Sequence, residues 1–99
     1  MRLTDGQIET IRTVSKQIAG ADSKIRLFGS RLNDELQGGD LDLMLEVSEP
    51  VENPALLCAQ MAAKISRIMY GRKVDVILYA PNLMRLPIHD IALKEGVLL

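Results

Sequence analysis

Residues 38–47 read GGDLDLMLEV, and this stretch decides the fold. Its leucines alternate with Asp40 and Asp42, which is the period-two pattern of a strand with one buried face. The two carboxylates therefore project from the same face, with Cα atoms roughly 6–7 Å apart. The glycine pair before them allows a sharp turn into the strand. We predict a strand over residues 40–47.

Two further strands and a loop are predicted around this one. Residues 24–28 form a short strand that ends at Gly29-Ser30. Residues 31–39 are polar and end in glycine, which favours a loop. Residues 73–79 are rich in β-branched side chains and predict a third strand, which otherwise reads as buried.

Helix signals separate and follow these strands. An N-cap threonine and a capping-box glutamine predict a helix over Asp5–Ala19. Asn53 and the proline after it start a second helix, which we expect to end at Gly71. Residues 87–95 predict a third helix, and residues 97–99 either add an edge strand or simply pack. The order α-β-β-α-β-α predicts a small mixed sheet packed with helices, of the α/β (α+β) class.

Composition narrows the functional classes. The 99 residues leave room for one core, so a single domain over residues 1–99 is expected. A net charge of −1 does not suggest broad attraction to nucleic acid or to an anionic membrane. We find no signal peptide and no transmembrane stretch. The only cysteine, Cys58, cannot form an internal disulfide, and a reducing cytoplasm is the expected compartment.

Three carboxylates form a candidate metal site. Aspartate is unusual in a strand and is rarely buried without a partner, so Asp75 draws attention. If the second and third strands are neighbours, Asp75 joins Asp40 and Asp42 around one or two hard cations such as Mg²⁺. The alternatives are a solvated strand face for the pair and, for Asp75, a water-facing edge position or pairing with Lys73 or Arg72.

The turn after the first strand is a candidate phosphate site. Gly29 lets a ligand approach the backbone, and the Ser30 hydroxyl and free N–H groups suit a phosphate. Arg31 supplies a positive charge next to them. An ordinary turn and a surface arginine are the alternatives. His89, the only histidine, is read as a surface or helix-packing residue, so a histidine-based metal site is not expected.

Together these elements resemble a known family. Residues 28–31 (FGSR), 38–43 (GGDLDL) and 73–77 (KVDVI) strongly resemble the nucleotidyltransferase superfamily typified by DNA polymerase β. Within it, the short chain and its tail, residues 87–99, look like the minimal nucleotidyltransferase (MNT) group. Many members carry serine where this chain has Gly39, which removes a hydroxyl near the phosphates and leaves the carboxylates in place.

The resemblance implies roles for the candidate residues. Gly29 and Ser30 would hold the nucleotide phosphates. Asp40 and Asp42 would bind the metals, and Asp75 would complete the site and help to activate an acceptor hydroxyl. The implied cofactor is Mg²⁺, with two ions expected, and the implied substrate is ATP.

The resemblance also implies a partner. MNT proteins typically pair with a small helical HEPN protein in what resembles a toxin–antitoxin system, and some transfer AMP to a tyrosine of the toxin. We therefore predict an Mg²⁺-dependent adenylyltransferase that acts as an antitoxin. The alternatives are an antitoxin that works by contact alone and the nucleotide-binding subunit of a small-molecule nucleotidyltransferase. A homo- or hetero-oligomer, formed through an apolar surface patch, is expected.

Overall fold

The computed structural model describes residues 3–29 and 41–99. Within these ranges the chain forms three helices and four strands, in the predicted order with one short strand added at the end. The elements are α1 (Asp5–Ala19), β1 (Lys24–Phe28), β2 (Leu41–Glu46), α2 (Pro54–Ile68), β3 (Val74–Tyr79), α3 (Pro87–Glu95) and β4 (Val97–Leu98). None of the helices in these ranges combines the length and the apolar character needed to cross a bilayer.

The sheet has the strand order β3-β2-β1-β4. β2 is parallel to β3, and β1 is antiparallel to both β2 and β4. The tail joins the sheet because Leu98 pairs with Arg26 and the Leu99 N–H donates to the Ile25 carbonyl at 2.9 Å. Of the two outcomes predicted for residues 97–99, the edge strand is the one observed.

The two faces of the sheet are covered by different helices. α1 and α2 pack on one face, where the three leucines of β2 are fully buried as their alternation predicts. α3 packs on the other face, where Met44 is also fully buried beside Phe28 and Ala92. Asp42, the second residue of β2, lies two residues before Met44 and therefore projects from the same face.

His89 attaches α3 to the sheet. Its Nδ1 accepts a hydrogen bond from the Leu86 N–H at 2.9 Å. The ring proton therefore lies on Nε2, which donates to the Leu78 carbonyl at 2.9 Å. The buried ring also stacks on Tyr79, with centroids 5.6 Å apart. Of the two roles predicted for His89, helix packing is observed.

The end of α2 differs from the prediction. The helix ends at Ile68 rather than continuing to Gly71. The Gly71 N–H donates to the Ser66 carbonyl at 2.8 Å, which is the bond that closes a Schellman motif. Tyr70 occupies the left-handed position of that motif with φ 59°, and Gly71 follows with φ 83°. The sequence misplaces the stop because glycine is the usual residue at the left-handed position, and here a tyrosine takes it.

Candidate functional site

Two of the predicted carboxylates lie side by side. Asp42 on β2 and Asp75 on β3 are register partners in the parallel pair. Partners on adjacent strands have Cα atoms roughly 5 Å apart and direct their side chains to the same face. The condition set by the sequence, that the second and third strands be neighbours with their carboxylates on one face, is met for this pair.

The environment of Asp75 corrects one expectation. Residues 73–79 read as a buried strand, but β3 is an edge strand in the described sheet. Val74 and Leu78 are buried towards the helices, whereas Asp75 is exposed and Asp42 is partly buried. The water-facing edge position is therefore the observed one. Because this edge is also next to Asp42, exposure and membership of a site are compatible.

Gly29 brings the backbone against the Asp42 carboxylate. It directly follows Phe28, which is the register partner of Asp42 on the other side. Its φ of +76° is left-handed, a conformation that favours glycine. A Cβ placed there would overlap Asp42 Oδ2 and lie 3.2 Å from its Cγ. The absence of a side chain at residue 29 therefore allows the carboxylate its present position.

The remaining predicted site residues lie outside the described ranges. These are Asp40 among the carboxylates, and Ser30 and Arg31, which the sequence predicts to lie in a turn. Among the residues that the structure describes, no three His, Cys, Asp or Glu side chains are grouped closely enough to hold a metal ion. The predicted third member, Asp40, precedes β2 directly, so its contribution stays a prediction.

Cys58 and the Arg85–Asp90 pair have structural explanations and do not belong to the candidate site. Burial raises the pKa of the Cys58 thiol, which keeps it in the less reactive protonated form. The hydrogen bond from Arg85 to Asp90 raises the pKa of that guanidinium, and Arg85 also donates to the Tyr79 hydroxyl at 3.2 Å. This group lies beside α3, at the far end of β3 from Asp75.

The sequence did not predict one feature near the paired carboxylates, at the edge of the sheet where β2 and β3 begin. The chain from Tyr70 to Lys73 leads directly into β3, and Tyr70 is 95% exposed. Arg72 Nη1 is covered and has no hydrogen-bond partner among the described residues. The only sequence signal for this feature is the segment Tyr-Gly-Arg-Lys, residues 70–73, which by itself indicates no more than a loop between a helix and a strand.

The sequence profile of the nucleotidyltransferase domain family matches residues 8–99 of the chain. The chain belongs to this family. The matched region contains the turn at Gly29 and both strands that carry the paired carboxylates. No curated protein matches the chain. The general activity of this nucleotidyltransferase domain is transfer of a nucleotidyl group, and domains of this family typically use a nucleoside triphosphate and a divalent metal.

The described donor set is compatible with such a metal. Asp42 and Asp75 supply carboxylate oxygens from neighbouring strands, and hard divalent cations prefer oxygen ligands. Two carboxylates this close repel each other unless a cation or another group compensates their charge. The pair therefore fits a divalent cation in chemistry and in placement.

Proposed function

We propose that this nucleotidyltransferase domain transfers AMP from ATP to a hydroxyl group, with Mg²⁺ as its metal. The observation that carries the proposal is the pairing of Asp42 with Asp75, with the backbone of Gly29 against the Asp42 carboxylate. Two oxygen donors beside a glycine in the left-handed conformation suit a metal–triphosphate complex, because carboxylates bind hard cations and the backbone at a glycine can approach phosphate closely. The choice of ATP and Mg²⁺ follows from the resemblance to MNT proteins.

Each residue then has a defined task. Asp40, Asp42 and Asp75 would hold the metal, which when bound supplies charge neutralisation for the phosphates and for the attacking and leaving oxygens. The turn of Gly29 and Ser30, with Arg31 beside it, would bind the β- and γ-phosphates.

The transfer itself is a displacement at the α-phosphorus. The acceptor oxygen forms a bond to phosphorus, and the bond to the pyrophosphate oxygen breaks. Asp75 is suited to receive the acceptor proton, because its carboxylate is exposed on an edge strand where an acceptor can approach. The products are the adenylylated acceptor and pyrophosphate.

We propose further that the acceptor is a tyrosine on a HEPN-type helical partner, and that the modification neutralises the partner as an antitoxin would. The tail resemblance, residues 87–99, supports this choice. Exposed apolar side chains in the same part of the chain offer a surface for a partner or for a second copy. They are Met84, Leu86, Ile88, Ile91, Val97 and Leu98.

Mass spectrometry of acceptors after incubation with ATP and Mg²⁺ tests the proposal. The purified chain is mixed in turn with a small helical protein of the HEPN type, chosen from the neighbouring reading frames, and with small hydroxyl-bearing molecules. We expect an AMP adduct on a tyrosine of the protein. Adducts on a small molecule alone would favour the small-molecule transferase, and neutralisation of the partner without any adduct would favour an antitoxin that acts by contact.

A matched pair of variants makes the result specific. Asp75→Asn should abolish the adduct, because it removes a metal ligand and the proton acceptor together. Asp22→Asn, in the exposed turn between α1 and β1, makes the same chemical change away from the site and should leave the adduct unchanged. Equal loss in both variants would indicate a non-specific effect and would count against the assigned role of Asp75.

A further inference from the structure

The connection between α2 and β3, residues 70–73, lies at the edge of the sheet where β2 and β3 begin, which is also where Asp42 and Asp75 lie. β2 and β3 are parallel and start together, with Leu41 opposite Val74. The Leu41 N–H donates to the Lys73 carbonyl at 3.0 Å, which fixes the connection beside the start of β2. We call residues 70–73 the edge turn. It leads directly into β3, whose second residue is Asp75, and is therefore next to the proposed site.

The order of the strands determines which substrate would meet the edge turn. At this end of the sheet Gly29 follows β1, Asp42 is on β2, and Asp75 is on β3. Attacking and leaving oxygens lie on opposite sides of the phosphorus in an in-line displacement. If pyrophosphate leaves on the Gly29 side, as the proposed function has it, the acceptor approaches from the β3 side. The edge turn is on that side.

Tyr70 is an unusual residue for its position. It holds the left-handed site of the Schellman motif, where glycine is favoured and a bulky residue is strained. Its side chain is 95% exposed, so packing within the described structure does not offset that strain. Exposed tyrosines that lose little side-chain entropy on docking are common central contacts in protein interfaces.

Arg72 adds a charged donor to the same turn. Its backbone is fixed, because the Ser66 hydroxyl donates to its carbonyl at 2.6 Å. Its Nη1 lacks a hydrogen-bond partner among the described residues, and a covered donor without a partner is unfavourable. A carboxylate that arrives with a ligand would supply that partner once the guanidinium rotates towards it.

The charge of the region favours an acidic polypeptide over a nucleic acid. Residues 66–73 contain three basic residues, Arg67, Arg72 and Lys73, and no acidic ones. The carboxylates beyond this segment, Asp75 and its register partner Asp42, are those whose charge the proposed metal would neutralise. The chain as a whole has a net charge of −1 and so lacks the broad positive field by which proteins bind polynucleotides. A small basic site beside an exposed tyrosine matches a short acidic segment.

We infer that the edge turn is the docking site for the acceptor, and that it binds a polypeptide segment with acidic residues next to the acceptor hydroxyl. Tyr70 packs against the segment and Arg72 binds one of its carboxylates. The inference rests on the proposed function for the direction of approach. It assigns the acceptor side of the site to residues that contact neither the phosphates nor the metal.

Random copolymers of glutamate and tyrosine provide a probe, with a lysine–tyrosine copolymer as the opposite charge. Transfer from α-labelled ATP to each copolymer is measured, and binding of fluorescein-labelled copolymer is followed by anisotropy without ATP. We expect binding and labelling of the acidic copolymer only. Tyr70→Ala and Arg72→Gln should each raise KM and the dissociation constant about tenfold, a typical effect for an interface contact of this type. The kcat and the affinity for MgATP should change less than twofold.

Two controls separate docking from folding. Arg12→Gln removes an exposed arginine on α1 and should bind the copolymer as the original chain does. Tyr70→Gly relieves the strain of the left-handed backbone, so the variant should keep the fold and still bind the acidic copolymer more weakly than the original chain. Unchanged binding in Tyr70→Gly and Arg72→Gln would overturn the inference, as would equal binding of both copolymers, binding of neither, or preferential labelling of an RNA oligonucleotide.

The same data distinguish this inference from the proposed function. If the chain does not bind MgATP at all, the proposed function fails. If MgATP binds and the protein partner is adenylylated while the edge-turn variants behave as the original, only the docking site is wrong.

Discussion

Replacement of Gly29 by alanine tests the closest contact in the candidate site. The added Cβ would overlap Asp42 Oδ2 and would lie 3.2 Å from Cγ and 3.3 Å from Cβ of the same side chain. The carboxylate must therefore rotate or move away. The left-handed backbone at φ +76° adds a cost of about 1–2 kcal/mol for a residue with a Cβ. For a domain of this size, each kcal/mol lowers the melting temperature by about 4–8 °C.

Gly20→Ala is the matched control. Gly20 also has a positive φ, +101°, but a Cβ there meets nothing within 4 Å. Both variants should lose stability through the backbone, whereas only Gly29→Ala displaces Asp42. We expect Gly29→Ala to lower nucleotidyl transfer about a hundredfold, because a misplacement of about 1 Å at a reacting centre can cost that much. Gly20→Ala should transfer at the original rate at temperatures where it is folded.

The assay is initial-rate transfer from α-labelled ATP, with thermal unfolding followed by circular dichroism on the same samples. Full activity in a folded Gly29→Ala protein would refute the argument that the Asp42 carboxylate needs its position against residue 29. An equal loss of rate in Gly20→Ala would attribute the effect to backbone strain in general.

Three further outcomes are expected. Tyr70→Gly should raise the free energy of unfolding by about 0.5–1 kcal/mol in a urea titration, because relief of about 1–2 kcal/mol of left-handed strain exceeds the entropic cost of glycine, about 0.5–1 kcal/mol. A lower value would mean that the tyrosine side chain stabilises the folded chain. His89→Ala should lower the free energy of unfolding by about 2–4 kcal/mol in the same titration, because it leaves the Leu86 N–H and the Leu78 carbonyl without their partner and opens a cavity under α3. A decrease below about 1 kcal/mol would contradict the role of His89 in attaching α3 to the sheet. The raised pKa of Cys58 predicts that iodoacetamide reacts more slowly with the folded chain than with the urea-unfolded chain at pH 8. The reaction rate of the folded chain should rise with pH. Equal rates for the two forms at pH 8 would show that burial does not protect this thiol.

Local signals allowed most elements to be predicted. The capping residues of α1 give its observed bounds, because those signals act within a few residues of the helix ends, and the predicted bounds of α3 are also the observed ones. Alternation along β2 identifies its buried leucines. It does not identify Met44 as buried, because the cover on that face comes from α3, which is distant in the sequence.

Long-range placement could not be predicted in the same way. The pairing of Asp42 with Asp75 depends on which strands are neighbours, and a strand pattern does not encode its neighbour. The edge position of β3 has the same origin, and it explains why Asp75 is exposed in a strand that reads as buried. The edge turn was missed because the sequence suggests Gly71, not Tyr70, as the left-handed residue.

The central claim is that the paired carboxylates hold the metal for nucleotidyl transfer, and Asp42→Asn tests it most directly. The substitution keeps the size of the side chain and removes one of the two like charges at the paired positions 42 and 75. Melting temperature without metal and Mg²⁺-dependent transfer from α-labelled ATP are measured on the same preparation. We predict that the melting temperature is unchanged or slightly higher, and that transfer falls by about a hundredfold or more. Transfer at the original rate by Asp42→Asn would contradict the account, and a contact-only binding module would then explain the chain better.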